Sequence, residues 1–272
     1  MSRRVLITGA STGIGKACAI AFEKASWEVF ATARDPATLA DLPERVKRLK
    51  LDVTKASDRE AAGAAVGGRL ECLVNNAGIG VVGPLEEVPE AALRRLYDVN
   101  LIAPTLLIQG LLPALRASQG KVVGISSLAA FFPIPLSAVY GSSKAAVDGL
   151  YGALREEVRP HGVKVCVVQP GGFRTRFADN TSLHGGAKGS PYEQQMRGFL
   201  AGRSRIMERN GRDPMIVAKR VLRLAQMADP PFSTRVGPDS VAAWAFKRLL
   251  PERVFRGLAR AVTQRLLKDD VP

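Results

Sequence analysis

Tyr140 and Lys144 stand four positions apart in Tyr140-Gly141-Ser142-Ser143-Lys144, just ahead of the apolar run Ala145-Ala146-Val147. On a helix that spacing sets a phenol and an ammonium on one face, one turn apart. A tyrosine in water keeps its proton up to a pH of ~10, and a fixed cation beside it favours the phenolate, which brings the pair toward general acid or base work. The same two residues also occur on helices as a packed ring and a solvated charge, so the pair alone leaves both readings open. The elements around it have to decide.

The first of those elements are a strand, a turn and a helix. Arg4-Val5-Leu6-Ile7-Thr8 reads as a short buried strand running into Gly9-Ala10-Ser11-Thr12-Gly13-Ile14-Gly15 and then a helical pattern through Ala25. Glycines let the backbone approach a ligand closely, and a helix N-terminus offers free N–H groups and positive dipole to a pyrophosphate. The turn departs from the Gly-x-Gly-x-x-Gly fingerprint, with three residues between its first two glycines instead of one. A second strand, Trp27 to Ala33, ends at Arg34 and Asp35. In a dinucleotide-binding fold the end of this strand faces the adenosine ribose, where an acid holds the 2′-hydroxyl and an arginine accommodates a 2′-phosphate. Ala33 stands where the acid is expected and Arg34 follows, which favours NADP(H) over NAD(H). A surface arginine at a strand end is the structural alternative.

Farther along, Val46 to Leu51 reads as a third strand closed by Asp52-Val53-Thr54, with a crossover helix from Lys55 to Val66. Leu70 to Val74 is a fourth, ending in Asn75-Asn76-Ala77-Gly78. A long amphipathic helix from about Glu90 to Leu115 carries Asn100, and Lys121 to Ile125 is a fifth strand closed by Ser126-Ser127. The helix of Tyr140 and Lys144 follows, then a sixth strand from Val163 to Val168 that ends at Pro170-Gly171. Strands alternating with helices imply a parallel sheet covered on both faces.

Composition narrows the classes. The 272 residues, 46% hydrophobic and 24% charged, suit one large α/β domain over 1–272. No apolar run approaches the roughly 20 residues that span a bilayer, and strand-like sequence begins at Val5, so a cytoplasmic protein without a signal peptide is expected. Cys18, Cys72 and Cys166 are far apart in apolar segments and are expected as reduced core residues. With only His161 and His184 present, a histidine triad or histidine metal site has little material, and no metal is expected. The net charge of +14 is concentrated toward the C-terminus, as in Lys247, Arg248, Arg253, Arg256 and Arg260, interleaved with Leu249, Leu250, Val254, Phe255, Leu258 and Val262. A helix with one buried and one solvated face accounts for that pattern; weak attraction to an anionic membrane surface is the second reading, and no nucleic-acid partner is expected.

Taken together, Thr8-Gly9-x-x-x-Gly13-Ile14-Gly15, Asp52, Asn75-Asn76-Ala77-Gly78, Asn100, Ser127, Tyr140-x-x-x-Lys144 and Pro170-Gly171 fall in the order and spacing of the short-chain dehydrogenases/reductases. The chain resembles that family from Val5 to about Thr175, and the unusual glycine spacing is the family's own version of the turn. The resemblance implies a single-domain Rossmann fold, a doubly wound parallel sheet of about seven strands with helices on both faces, and a helical C-terminal extension over about 238–268. It implies that Tyr140 exchanges a proton with the substrate oxygen and that Lys144 binds the nicotinamide ribose and lowers the tyrosine pKa. Ser127 would hydrogen-bond the substrate oxygen, and Asn100 would hold a water linking Lys144 to solvent.

On the cofactor side the resemblance implies Gly9, Gly13, Ile14 and Gly15 at the pyrophosphate and Asp52, with Val53, at the adenine. It sets Asn76, Ala77 and Gly78 near the adenosine and its ribose, Pro170 and Gly171 at the nicotinamide end, and Thr175 on the carboxamide. Ser11 and Arg34 are the candidates for the 2′-phosphate; Thr12 stands where many NADP-preferring members carry a basic residue. Residues from about 173 to 212 form the expected substrate loop, a mobile segment with short helices. Phe131, Phe132, Ile134, Pro135, Phe173 and Phe177 suggest a pocket for a bulky, poorly charged ketone or alcohol, although some of them will be core. The Ala31–Asp35 stretch and the C-terminal extension are similar to the hydroxysteroid and retinol dehydrogenase branch. The expected activity is NADPH-dependent reduction of a hydrophobic ketone or aldehyde by a homo-oligomer, a dimer or tetramer as is common in the family. The alternative is a non-catalytic nucleotide-sensing or membrane-surface-associated protein on the same scaffold, which the intact set of four catalytic positions argues against.

Overall fold

The computed structural model describes residues 2–267, so the ends of the expected 1–272 domain and position 268 of the C-terminal segment lie outside the described residues. The chain runs β1 (Arg4–Ile7), α1 (Gly13–Lys24), β2 (Glu28–Ala33), β3 (Lys47–Lys50), α2 (Ala56–Val66), β4 (Cys72–Asn75) and β5 (Gly80–Val82). It continues through α3 (Glu90–Tyr97), α4 (Ala103–Ser118), β6 (Lys121–Ile125), α5 (Ala138–Val158), β7 (Lys164–Pro170) and β8 (Thr181–Leu183). The last elements are α6 (Glu193–Asn210), α7 (Met215–Gln226), β9 (Ser233–Val236), α8 (Pro238–Leu249) and α9 (Glu252–Leu267).

Seven strands form one sheet in the order β3-β2-β1-β4-β6-β7-β9, with every pairing parallel. Side chains of a strand alternate between faces, so a sheet buried on both sides is apolar at every position. In β1, Val5 and Ile7 pack with Ala17, Cys18 and Phe22 of α1 and with Val217 and Val221 of α7, whereas Leu6 packs with Leu107 and Leu111 of α4 and Val147 of α5. Each such fully buried side chain stabilises the fold by about 1.5–3 kcal/mol. All three cysteines are free and buried within these layers.

The expected helix around Asn100 is a continuous helical run from Glu90 to Ser118, interrupted by a π turn at Asp98–Ile102 where the Ala103 N–H bonds to the Asp98 carbonyl. Its mean hydropathy of 1.4 over its most apolar window is enough, with its 29 residues, to cross a bilayer by length and composition. The sequence expectation concerns runs of apolar residues; this helix reaches its mean hydropathy with polar residues such as Thr105 and Gln109 interspersed. Half of that window lies inside the domain, with Leu107, Ile108, Leu111 and Leu115 against the sheet.

The substrate loop differs from the short helices expected over 173–212. Its two ends meet where Phe173 bridges Arg212, and the Arg174 N–H donates to the Arg212 carbonyl at 2.8 Å. Between them, β8 pairs with β5 as a separate parallel ribbon and α6 runs for 18 residues. Glu87 holds the glycine turn ahead of α6, accepting from Gly186 N–H at 2.7 Å and from the Ser190 hydroxyl at 2.5 Å. The segment is a built lid, tied to the body at β5, at Glu87 and at its own base.

Candidate active site

Strand order reverses between β1 and β4, and in open α/β sheets the crevice beyond the carboxyl ends at such a point is where ligands bind. The glycine turn lies there. Gly9 and Gly13 have φ of +66° and +56°, values that suit glycine. A Cβ on Gly15 would run into the Gly9 carbonyl oxygen and come within 2.5 Å of Asn76 Nδ2, so only glycine lets α1 start this close to β4. Thr8 and Asn76 lock the turn in place. The Asn76 and Ala77 N–H groups donate to Thr8 Oγ1 at 2.9 and 3.0 Å, and Asn76 Nδ2 donates to the carbonyls of Thr8 and Gly9 at 2.9 and 3.0 Å. The expectation had Asn76 near the adenosine; in this geometry its amide is engaged by the turn itself.

Thr12 precedes α1 without a side-chain cap, and the first turn of α1 carries no acidic residue. Its free N–H groups, together with the space that Gly13 and Gly15 leave, form a cradle that fits a pyrophosphate. Ser11, Thr12, Gly13 and Ile14 are all partly exposed along it. Thr175 closes it from above: a Cβ on Gly13 would lie 3.0 Å from Thr175 Cβ. The end of β2 carries buried Ala33 and then exposed Arg34, so a guanidinium is available where no carboxylate stands. Asp52 lies past β3, its Oδ1 accepting from Thr54 N–H and Oγ1 at 3.1 and 2.7 Å. Burial pushes its carboxyl up, but the Thr54 hydrogen bonds and the charges of Lys55 and Arg34 outweigh this and hold it below the usual range. Val53 is a core residue, packed with Leu51 and Ala62.

The four expected catalytic residues converge from β6, α5 and the π turn. Ser127 follows β6 and its Oγ accepts from the Ala129 N–H at 3.1 Å, which fixes its rotamer at the head of a short helical turn. Tyr140 lies in the first turn of α5, with the Phe177 ring of the lid 5.5 Å from its own. Lys144, one turn on, is buried, its Nζ donating to the Ile125 carbonyl at 2.9 Å and lying 5.9 Å from the centre of the Tyr140 ring. Gly78 makes room for it, since a Cβ there would meet Asn100 Oδ1 at 3.2 Å and Lys144 Nζ at 3.7 Å. Asn100, in the π turn, pairs its amide with the Ile79 backbone in both directions, at 2.9 and 3.0 Å, and donates to Ser143 Oγ at 3.2 Å. Its side chain thus fixes the chain beside Lys144. Pro170 ends β7, and the Gly171 N–H is held by the Val236 carbonyl at 2.9 Å.

The electrostatics differ from the sequence expectation in one respect. Burial pushes the Tyr140 phenol above its ordinary range, and the groups that oppose the rise are the Ser127 hydroxyl and the Arg203 guanidinium of α6. Lys144 does not bring it down here, because its ammonium is turned to Ile125 and is itself lowered by burial to about 8, against the pull of Asp148. Asp148 is a participant that the sequence reading missed. It stands one turn past Lys144 and accepts from Gln169 Nε2 at 2.6 Å. Burial raises its carboxyl despite Ser126, Gln169, Lys144 and Arg235. Its i,i+4 spacing from Lys144 was the available signal.

The expected apolar pocket is distributed differently. Phe177 lies on Tyr140, but Phe173 is buried in the core with α7 and β9 residues. Phe131, Phe132, Ile134 and Pro135 line a separate open groove of about 910 Å³ behind α5, walled on its other side by α9, where Phe132 meets Phe255 edge to face at 6.0 Å. Residues at a loop carry no periodicity that tells which side of a helix they will cover, and α9 supplies the opposite wall from far along the chain.

Comparisons with known proteins bear on the family and the fold. Residues 3–184 match the short chain dehydrogenase family model. The chain is 35% identical over 240 residues to the 3-ketodihydrosphingosine reductase of Bacteroides thetaiotaomicron, covering 86% of this chain and 87% of that one. It is 38% identical over 207 residues to the NADPH-dependent 3-dehydrocapnine reductase of Ornithobacterium rhinotracheale, covering 70% and 71%. Among solved structures, a short-chain dehydrogenase from Streptomyces avermitilis superposes with a TM-score of 0.78 at 31% identity, over 94% of this chain and 98% of that one. The chain belongs to the short-chain dehydrogenase/reductase family and is an oxidoreductase that interconverts a carbonyl and an alcohol with a nicotinamide dinucleotide.

Proposed function

We propose that the protein is an NADPH-dependent reductase of a long, largely apolar ketone. The observation that carries this is the convergence of Ser127, Tyr140 and Lys144 beside the glycine turn, under a lid whose Phe177 packs on the tyrosine. The bound dinucleotide supplies the hydride. Tyr140, kept protonated at neutral pH by burial, gives its proton to the carbonyl oxygen, which Ser127 holds by a hydrogen bond as negative charge develops there. Lys144 would hold the nicotinamide ribose, the N–H groups of Gly13 to Gly15 the pyrophosphate, and Arg34 the 2′-phosphate. Ala33 in place of an acid supports the choice of NADPH, as does the similarity to an NADPH-dependent relative.

Two relatives are by name reductases of 3-ketodihydrosphingosine and 3-dehydrocapnine, which supports a 3-oxo substrate here. The partly exposed Phe177 ring beside Tyr140 gives an alkyl chain apolar surface to meet at the site. The test is reduction of 3-ketodihydrosphingosine and of simple ketones of graded chain length with NADPH and with NADH. The reading predicts faster turnover of the longer ketones and preference for NADPH; no turnover of any ketone with either cofactor would overturn it. A cytoplasmic homo-oligomer belongs to the same reading, with exposed Ile102 of the π turn and Leu106 of α4 available as contact surface.

A second reading concerns the surface. At the corner of α8 and α9, Leu249 is 79% exposed, with Phe246 and Val254 also exposed and Lys247, Arg248 and Arg253 around them. Apolar tips ringed by cations suit weak attachment to an anionic bilayer. Co-sedimentation with phosphatidylglycerol vesicles, weakened by salt and absent with phosphatidylcholine alone, is expected.

A further inference from the structure

The lid helix α6 carries its apolar residues on the side that faces the body. Met196, Phe199 and Leu200 pack with Val82, Ile134 and Leu136, at the end of β5 and the loop ahead of α5. The next position on that stripe, four residues beyond Phe199 and three beyond Leu200, is Arg203. A cation therefore stands where the pattern asks for another apolar side chain. Arg203 is half-buried and makes no hydrogen bond or ion pair among the described residues. Its guanidinium and the Tyr140 phenol are close enough for each to bias the ionisation of the other. A long basic side chain can also lie along apolar surface with its head in water, but Arg203 continues the body-facing stripe of α6 and is half-buried there.

We propose that Arg203 determines substrate specificity by taking an anionic group of the substrate, a sulfonate, phosphate or carboxylate, held a few bonds from the carbonyl that Tyr140 and Ser127 engage. This rests on the reductase reading above and narrows its substrate to an amphiphile, with its charged end beneath Arg203 and its apolar part against Phe177. A guanidinium presents a planar fork of donors that matches such oxyanions, and an ion pair under a lid is less screened by water than one at the surface. It also accounts for why a desolvated cation is held without a protein carboxylate: the partner arrives with the substrate. The expectation of a poorly charged substrate is thereby revised at one end of the molecule only.

The test uses a matched pair, 3-oxodecane-1-sulfonate and 3-oxodecan-1-ol, with the full chain and NADPH. The wild type is expected to favour the sulfonate in kcat/KM by about tenfold or more, the size of one charge-assisted contact. Arg203→Ala should collapse that ratio toward one, and Arg203→Lys should restore part of it. A wild type without preference for the sulfonate, or an Arg203→Ala variant that loses equally on both ketones, overturns the proposal; the equal loss would instead assign Arg203 to Tyr140. If neither ketone is reduced, the reductase reading fails first. Calorimetric titration of the NADPH-saturated protein with decane-1-sulfonate and decan-1-ol then decides the matter separately. Tighter sulfonate binding that Arg203→Ala abolishes supports the anion site, and equal binding of both refutes it.

Discussion

Replacing Lys144 with methionine should make the protein more stable at neutral pH while abolishing its activity. Lys144 is buried, and its amine falls from 10.5 to about 8, chiefly because burial penalises the charge. That is a difference of roughly 300-fold in proton affinity between the unfolded and folded states, about 3 kcal/mol of stability lost by burying the charge at about pH 7. A lysine whose folded value lies below its unfolded one leaves the unfolded chain binding more protons between about 8 and 10.5. Stability of the wild type therefore rises with pH across that window, and the penalty shrinks to about 1 kcal/mol near pH ~9.5. Methionine fills nearly the same volume without the charge, but it leaves the Ile125 carbonyl without the Nζ bond of 2.9 Å, a loss of about 1 kcal/mol. Asp148 keeps its Gln169 hydrogen bond and the nearby Arg235 charge when the Lys144 cation is gone.

The net gain is about 2 kcal/mol at about pH 7, or about 5 °C in Tm for a chain of this size, and close to nothing at about pH 9.5. Thermal unfolding of both proteins at the two pH values measures it. A variant less stable than the wild type at neutral pH, or a difference that does not change with pH, would refute the reasoning.

Other substitutions test the cofactor side. Arg34→Ala should weaken NADPH binding by about tenfold or more relative to NADH, the cost of one charge-assisted hydrogen bond, as read by fluorescence titration; equal losses for both would remove Arg34 from the 2′-phosphate. Gly15→Ala drives a Cβ into the Gly9 carbonyl and toward Asn76 Nδ2, neither of which is a flexible end, so it should cost about 1–3 kcal/mol of stability and most of the dinucleotide affinity. Gly110→Ala is its control: nothing lies within 4 Å of the added Cβ in the middle of α4, and a gain of up to about 1 kcal/mol in denaturant unfolding is expected.

What could be read from the residues alone divides along physical lines. Six of the seven main strands were legible, five of them as short apolar runs closed by a polar turn and the basic edge strand β3 from Val46, Leu49 and Leu51 in and around it, and β6 matches its expected bounds, Lys121–Ile125. β9 was passed over, since Ser233-Thr234-Arg235-Val236 at the sheet edge has no apolar run to signal it. The Tyr140–Lys144 spacing was visible because a helix fixes neighbours four apart. Contacts between distant segments left no such signature. Tyr151 and Asn75 are 76 positions apart, yet the phenol accepts from Asn75 Nδ2 at 2.9 Å beneath the site. The π turn at Asn100, the pairing of β8 with β5, and the contact of α9 with Phe132 all depend on tertiary packing rather than local pattern. The raised phenol of Tyr140 belongs to the same class, because desolvation is a property of everything packed around a group, whereas the sequence identifies only the cation one turn away.

The central claim is that Tyr140 moves the proton. The measurement that bears on it most directly is ketone reduction by Tyr140→Phe, which keeps the ring against Phe177 and removes only the hydroxyl. The variant is expected to unfold cooperatively like the wild type and to lose about 10²–10⁴-fold in kcat, the usual contribution of a positioned general acid. A folded Tyr140→Phe protein that still reduces ketones near the wild-type rate would contradict the account.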